Sequence, residues 1–116
     1  MMKIVNARIT KARIGFDELD KVVARMTFES KYGCCDWAFV LENPVDVQRL
    51  KALMKYADVL DLKDLNGKII QQVVDSERFL RGFGHPIEDK FVPTYTNEFT
   101  ELSATEFGAM MAMMQK

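Results

Sequence analysis

The single histidine of the chain lies in residues 82–91, GFGHPIEDKF, which also contain two glycines and one proline. Glu88 and Asp89 follow His85 closely, and an imidazole beside a carboxylate is half of many acid–base sites. However, no serine or cysteine lies in a recognisable nucleophile motif. Pro86 also restricts His85 to an extended or turn conformation. We therefore predict that His85 is a loop residue and a surface contact, and that the protein is not an enzyme.

The glycine pair Gly82 and Gly84 matches a phosphate-binding loop only superficially. Such a loop needs further glycine, a following helix and a Lys-Ser or Lys-Thr pair, and none of these follows here. We therefore predict no nucleotide cofactor. We assign the glycines to a β-bulge or tight hairpin that leads into a final edge strand over residues 87–92, ended by Pro93.

The two cysteines, Cys34 and Cys35, are adjacent in the sequence. Neighbouring residues of a strand point to opposite faces, so a disulfide between them is geometrically poor. A zinc site needs about four ligands, and two adjacent cysteines with one distant histidine do not form a recognised ligand spacing. We predict reduced, structural thiols, with no metal and no other cofactor.

The totals describe an ordinary globular chain of 116 residues, 48% of them hydrophobic and 28% charged. Sixteen basic and seventeen acidic residues leave a net charge of -1, so there is no overall positive field to attract nucleic acid or anionic lipid. The sequence begins without the apolar region of a signal peptide, and its apolar runs are short. We expect a cytoplasmic protein without membrane contact.

Alternating apolar residues predict three antiparallel strands in the first third of the chain. The alternation of the first strand slips near Thr10 and Lys11, which indicates a β-bulge. The second strand has the clearest pattern, with one apolar face formed by Val22, Ala24, Met26 and Phe28. The third strand, over residues 34–41, is apolar on both faces, so another element is expected to cover the sheet.

The covering element is a helix predicted over residues 44–57. Asn43 suits its N-cap and Pro44 its first position, and the apolar residues recur at helical spacing. We place its charged residues, including Arg49, on the solvent side. An Asn66-Gly67 turn then precedes a fourth strand. The predicted fold class is α+β, with an antiparallel meander of three strands, a covering helix and two further strands. This order also fits an OB-like barrel.

The C-terminal region differs in character from residues 1–93, which we predict to form a single α+β domain. Residues 94–116 are predicted to be a polar linker followed by a short amphipathic helix. Ser103 and Glu106 have the spacing of a capping box. The apolar stripe of this helix consists of Phe107, Met110, Met111 and Met114. Because methionine-rich surfaces adapt to different partners, this helix is a candidate contact for a partner or a homodimer. The alternative is that it docks on its own domain or frays in solution.

An alternative function follows from the OB-like order of elements, because such barrels bind single-stranded nucleic acid through aromatic platforms and cations. The candidate residues are Tyr32, Trp37, Phe39, Arg78 and Arg81. Strand alternation places most of these aromatic residues in the core, and the net charge is not positive. Nucleic-acid binding therefore remains the alternative hypothesis.

Residues 61–68, DLKDLNGK, and residues 82–91 together resemble segments of small uncharacterised proteins encoded by bacteriophages and prophages. The resemblance covers roughly residues 3–92. The matching positions are Leu65, Gly67, Lys68, Gly84, His85, Ile87, Asp89, Lys90 and Phe91. The chain departs from the pattern at residues 34–37, where those proteins often have a glycine-rich aromatic strand, and in its methionine-rich C-terminal region.

This resemblance implies a viral protein that acts in the cytoplasm of a bacterial host. Small phage proteins commonly bind a host or defence macromolecule, so the resemblance implies a non-enzymatic interaction protein and makes steric inhibition of a defence complex a candidate activity. The candidate partner contacts are Phe83, His85 and Lys90 in the 82–91 segment and Phe107, Met110, Met111 and Met114 in the C-terminal helix.

Overall fold

The structure is a computed structural model that describes residues 2–114, except for the side chain of Met114. In chain order, the elements are β1 (Lys3–Phe16), β2 (Val22–Ser30), β3 (Gly33–Val40), α1 (Pro44–Tyr56), a short 3-10 helix (Leu62–Leu65), β4 (Ile69–Val74), β5 (Leu80–Gly84), β6 (Phe91–Pro93) and α2 (Ala104–Met114). The strands form one antiparallel sheet in the order β3-β2-β1-β4-β5-β6. The predicted α+β fold class, with its three-stranded meander and covering helix, is confirmed.

β1 is the longest strand, with 14 residues, and it lies in the middle of the sheet. Its first part, from Lys3 to Arg8, pairs with β4, whereas its later residues pair with β2 alone. The register between β1 and β2 shifts between Thr10 and Arg13, so the predicted β-bulge is confirmed. Because β4 has only six residues, the outer part of the β1–β2 hairpin extends beyond the strands on the other side of β1.

The sheet curls into a half-barrel, and α1 packs on its concave face. The rings of Phe39 in β3 and Phe83 in β5 approach to 6.2 Å between centroids, although three strands separate β3 from β5 in the sheet. Tyr56 of α1 lies 6.0 Å from Phe83. Asn43 caps α1 as predicted, since its side chain accepts the backbone N–H of Val45 at 2.9 Å. These rings and the buried face of α1 form the main core.

Two details of the predicted strand arrangement differ from the structure. Three strands follow α1 where two were expected, because Leu80–Gly84 forms a strand of its own and does not belong to a turn. β3 and β6 are the two edges of the described sheet, so the pairing that would close an OB-like barrel is not formed. The convex face of β1, β2 and β3 is consequently left without a covering helix.

Gly82 and Gly84 have a different role from the one predicted. Both lie inside β5, and neither has the positive φ that favours glycine. A Cβ on Gly82 would lie 2.6 Å from the ring of Phe107, and a Cβ on Gly84 would lie 2.3 Å from the ring of Phe91. The glycines therefore make space for two aromatic rings on the convex face. The predicted tight hairpin is not formed at this pair, because the chain turns only after Gly84, but a register irregularity of the β4–β5 ladder does lie next to Gly82, between the pairs Val73–Gly82 and Val74–Leu80.

α2 packs against the half of the convex face that contains this glycine pair. Phe107 and Met111 are buried there with Val73 and Phe91. The capping box is confirmed, because the N–H of Ser103 donates to Glu106 Oε1 at 2.9 Å and the N–H of Glu106 donates to Ser103 Oγ at 3.1 Å. The apolar side of α2 thus faces its own sheet.

Arg49 corrects the prediction that the charged residues of α1 all face solvent. It is buried, with a salt bridge of 3.0 Å to Asp46 and a hydrogen bond donated to the backbone carbonyl of Thr96. Tyr56 adds a second connection by donating its hydroxyl hydrogen to the carboxylate of Glu101. Burial raises the pKa of Tyr56, and the hydrogen bond to Glu101 raises it further. Both side chains hold the segment after β6 against α1.

We predict that Gly82→Ala destabilises the protein by about 1–3 kcal/mol, because a methyl group would displace the ring of Phe107 or the β6 backbone. Gly15→Ala is the control, since a Cβ at Gly15 meets no atom within 4 Å. Urea-induced unfolding measures both, and the control should change the free energy of unfolding by less than about 0.5 kcal/mol. Equal effects of the two substitutions would contradict this role of Gly82.

Candidate interaction surfaces

His85 organises the turn between β5 and β6. Its Nδ1 accepts the backbone N–H groups of Ile87, at 3.1 Å, and Glu88, at 2.9 Å. Its Nε2 lies 3.5 Å from the carboxylate of Glu88, and its ring packs 5.4 Å from that of Tyr56. Since Nδ1 is an acceptor, this arrangement requires the imidazole proton on Nε2, towards Glu88. The histidine therefore has a defined structural role in this turn.

The other predicted partner contacts fall into three groups. Lys90 is exposed and lies 3.4 Å from Glu88, and Met110 of α2 is partly exposed. Phe83, Phe107 and Met111 are buried, so the prediction that they contact a partner is wrong for the folded protein. Their side chains fill the two hydrophobic cores instead. The side chain of Met114 lies outside the described residues.

An exposed apolar surface lies at the end of the molecule where the β1–β2 hairpin projects. We call it the hairpin patch; it consists of Ile14, Phe16, Leu19 and Leu60, with exposed fractions of 60%, 68%, 77% and 95%. Ile14 and Leu62 line one cleft of about 490 Å³, which places the residues after Leu60 beside the hairpin. The alternation of apolar residues in β1 does not by itself indicate that Ile14 and Phe16 are exposed. The signal that was missed is that β1 is much longer than β4.

A group of cations surrounds one aromatic ring at the opposite end of β1. The tyrosine cluster, as we name it, consists of Tyr32 in the β2–β3 turn with Lys3, Lys31 and Arg78. Their charged groups lie 5.0, 5.3 and 5.8 Å from the centroid of the Tyr32 ring. Tyr32 is half-exposed and the three cations are exposed. The structure thus brings together two residues of the predicted nucleic-acid set and adds Lys3, which sequence spacing did not connect with them.

The remaining residues of the predicted nucleic-acid set are buried or partly buried. Phe39 is fully buried, and Trp37 is partly buried against the main core. Arg81 pairs with Asp75 at 2.9 Å and lies 5.9 Å from the ring centroid of Tyr95. Phe39 is therefore not accessible for stacking, whereas Trp37 lines a cleft together with Lys11, Arg13 and Arg25.

A second basic surface lies on the β1–β3 part of the sheet. Lys11, Arg13 and Arg25 line a cleft of about 390 Å³, which we call the basic cleft. Arg13 and Arg25 are directly opposite each other in the β1–β2 register. Asp36 also lines this cleft, and its carboxylate accepts a hydrogen bond of 2.7 Å from Thr27. Cations therefore outnumber carboxylates around the cleft.

The turn that presents Arg78 is built around Asp75. One carboxylate oxygen accepts the N–H groups of Glu77, at 2.8 Å, and Phe79, at 3.0 Å, while the other accepts Arg81 Nε at 2.9 Å. Burial opposes the charged form of Asp75, but these hydrogen bonds and the Arg81 charge outweigh it and lower the pKa. Arg78 itself has a φ of 68°, which fixes the direction in which this turn points its side chain.

Within residues 2–114, no three histidine, cysteine or acidic side chains are grouped as metal ligands. Cys34 and Cys35 are free thiols, and burial raises the pKa of Cys35. Over the same residues, the helices are too short or too polar to cross a membrane. No protein-family model, curated protein or solved structure matches the chain.

We predict that His85→Asn retains most of the stability of the turn, because an amide oxygen can also accept the two N–H groups. His85→Ala leaves both donors without this acceptor and should cost about 0.5–2 kcal/mol. Thermal unfolding of the two variants at neutral pH tests the difference. If both variants have the same melting temperature, the acceptor function of Nδ1 is not what stabilises the turn.

We also predict that Asp75 makes stability depend on pH. The pKa of Asp75 is lower in the folded protein than in the unfolded chain. Its contribution to the free energy of unfolding is therefore complete above the ordinary aspartate pKa of about 3.9 and is lost as pH falls through the lowered value. Urea midpoints of the wild type and Asp75→Asn should therefore differ at pH 7 and converge below about pH 3. A difference that stays constant from pH 7 to pH 2 would show that the Asp75 charge contributes nothing.

Proposed function

We propose that the protein is a non-enzymatic interaction protein that binds a protein of a bacterial host through the hairpin patch. The observation that carries this proposal is that Ile14, Phe16 and Leu19 of the projecting hairpin are each more than half exposed, as is Leu60, two residues before the Leu62 that lines a cleft with Ile14. Large apolar patches exposed on a soluble protein often mark a partner-binding site.

The surroundings of the hairpin patch support this proposal. Asp17, Glu18, Asp20 and Lys21 flank Leu19 in the exposed turn of the hairpin, and charged residues beside an apolar centre are typical of protein interfaces. The hairpin tip is also ordered in advance. Asp17 Oδ1 accepts the N–H groups of Leu19, at 2.8 Å, and Lys21, at 2.9 Å, which lowers the entropic cost of binding.

The resemblance of residues 3–92 to small phage and prophage proteins supports the choice of partner. We infer that the partner is a host or defence protein and that the mechanism is steric, because a projecting apolar hairpin can occupy a groove that another ligand would use. The engagement of His85 Nδ1 by two backbone N–H groups supports a non-enzymatic role, since the one histidine of the chain is used to build a turn.

We predict that a photo-crosslinking amino acid at position 16 captures one discrete protein in a lysate of a bacterial host, whereas the same probe at position 87 does not. Ile87 is a suitable control because it is 90% exposed but lies outside the hairpin patch. Mass spectrometry of the crosslinked band identifies the partner, and Leu19→Ser with Leu60→Ser should reduce the yield at position 16 at least fivefold.

Capture of the same proteins from both positions, or from neither, would contradict the assignment of the hairpin patch as the binding surface. Melting curves of the probe-bearing proteins should match the wild type, because the substituted side chains are exposed.

A further inference from the structure

The tyrosine cluster holds three positive charges that have no carboxylate partner. None of Lys3, Lys31 and Arg78 has an acidic group within 4.0 Å in the part of the chain that the structure describes. Two of the acidic residues on the same elements have other partners, whereas the exposed Glu77 beside Arg78 makes no ion pair within 4.0 Å in the described residues. Glu29 accepts a hydrogen bond of 3.1 Å from Thr10, and Asp75 pairs with Arg81.

One tyrosine ring is a weak partner for three cations. The ring face attracts a cation through its quadrupole, but the attraction is small at an exposed site, and every added cation is repelled by those already present. The cluster is therefore electrostatically incomplete, and an anionic ligand would relieve the repulsion.

The basic cleft also brings positive charges close together. Like charges directly opposite each other on neighbouring strands are destabilising, yet Arg13 faces Arg25 across the β1–β2 register. The cleft beside them, about 390 Å³ in volume, is large enough for a small ligand group. Arg25 and Lys31 are six positions apart on or just after β2, a span of about 20 Å in an extended strand.

We propose that the tyrosine cluster and the basic cleft bind single-stranded nucleic acid, with the cations on its phosphates and the Tyr32 ring stacked on a base. Proteins that bind single strands combine cations along the backbone with aromatic stacking platforms. An acidic peptide would use the cations but would have no use for the ring. Phe79, which follows Arg78 and is 58% exposed, provides a second aromatic side chain beside the cluster.

Only the tyrosine cluster is remote from the hairpin patch, because the basic cleft adjoins it: Arg13 also lines the cleft that contains Ile14, and Arg25 donates a hydrogen bond of 3.0 Å to the Phe16 carbonyl. The tyrosine cluster includes Lys3 at the start of β1, whereas the hairpin patch includes Phe16 at its end. The net charge of -1 does not oppose the site, because electrostatic screening at physiological salt makes local charge more important than the total. The tyrosine cluster can therefore hold a nucleic acid at the end of β1 that is away from the hairpin patch.

The test is fluorescence anisotropy with a labelled 20-nucleotide oligo-dT over a range of salt concentrations. Lys31→Glu with Arg78→Glu should weaken binding at least tenfold at low salt and reduce the slope of log affinity against log salt by about 1.4. Lys51→Glu with Lys55→Glu is the matched control, because it makes the same change in net charge on exposed positions of α1 and should alter affinity less than twofold.

Tyr32 separates base stacking from simple charge attraction. Tyr32→Leu should weaken binding about tenfold, whereas Tyr32→Phe should bind like the wild type, since both aromatic rings can stack. Absence of oligo-dT binding at low salt, equal losses in the two double variants, or tighter binding of a duplex of the same length would overturn the proposal. The proposal would also be overturned, in favour of an acidic protein partner, if poly-glutamate bound with the same affinity as oligo-dT and Tyr32→Leu did not change that affinity.

Discussion

The double pairing of β1 is the constraint on which the rest of the structure depends. Residues 3–8 of this strand pair with β4 on one side, and its residues from Arg8 to Phe16 pair with β2 on the other. The β-bulge between Thr10 and Arg13 lies just beyond the last β4 partner, so the strand changes direction where it loses a neighbour. The first part of β1 thereby supports the two cores, while the second part forms an arm that carries apolar side chains into solvent.

The sequence predicts those parts of the fold whose signals are local. The cap at Asn43 and the capping box at Ser103 and Glu106 each need only a few neighbouring residues, and both are found in the structure. Strand β2 is also found, although Val23 and Thr27, outside its predicted apolar face, are buried as well. Arg49 was misplaced because its acceptor, the Thr96 carbonyl, belongs to a segment 47 positions away. No local pattern indicates that a charged helix residue will be covered by a distant loop.

The glycine pair and the functional surfaces show the same limit of local sequence patterns. A glycine that permits an unusual φ and a glycine that makes room for a ring are identical in sequence, and only the position of Phe107 distinguishes them. Phe83, Phe107 and Met111 have the composition of a binding surface but are buried by the sheet. Conversely, Tyr32 and Arg78 were correctly placed in one basic set, but Lys3 joins them only through the antiparallel order of β1 and β4.

The packing of α2 over the glycine backbone of β5 also determines how the chain folds. Met2 and Ile4 contact the same apolar cluster as Phe107 and Met111, so this cluster closes a loop that includes nearly the whole described sequence. Contacts between such distant positions are entropically costly to form and slow the search for the native state. The convex core is consequently expected to assemble last and to open first, and each opening would uncover the β5 backbone at Gly82, which the Phe107 ring of α2 otherwise covers.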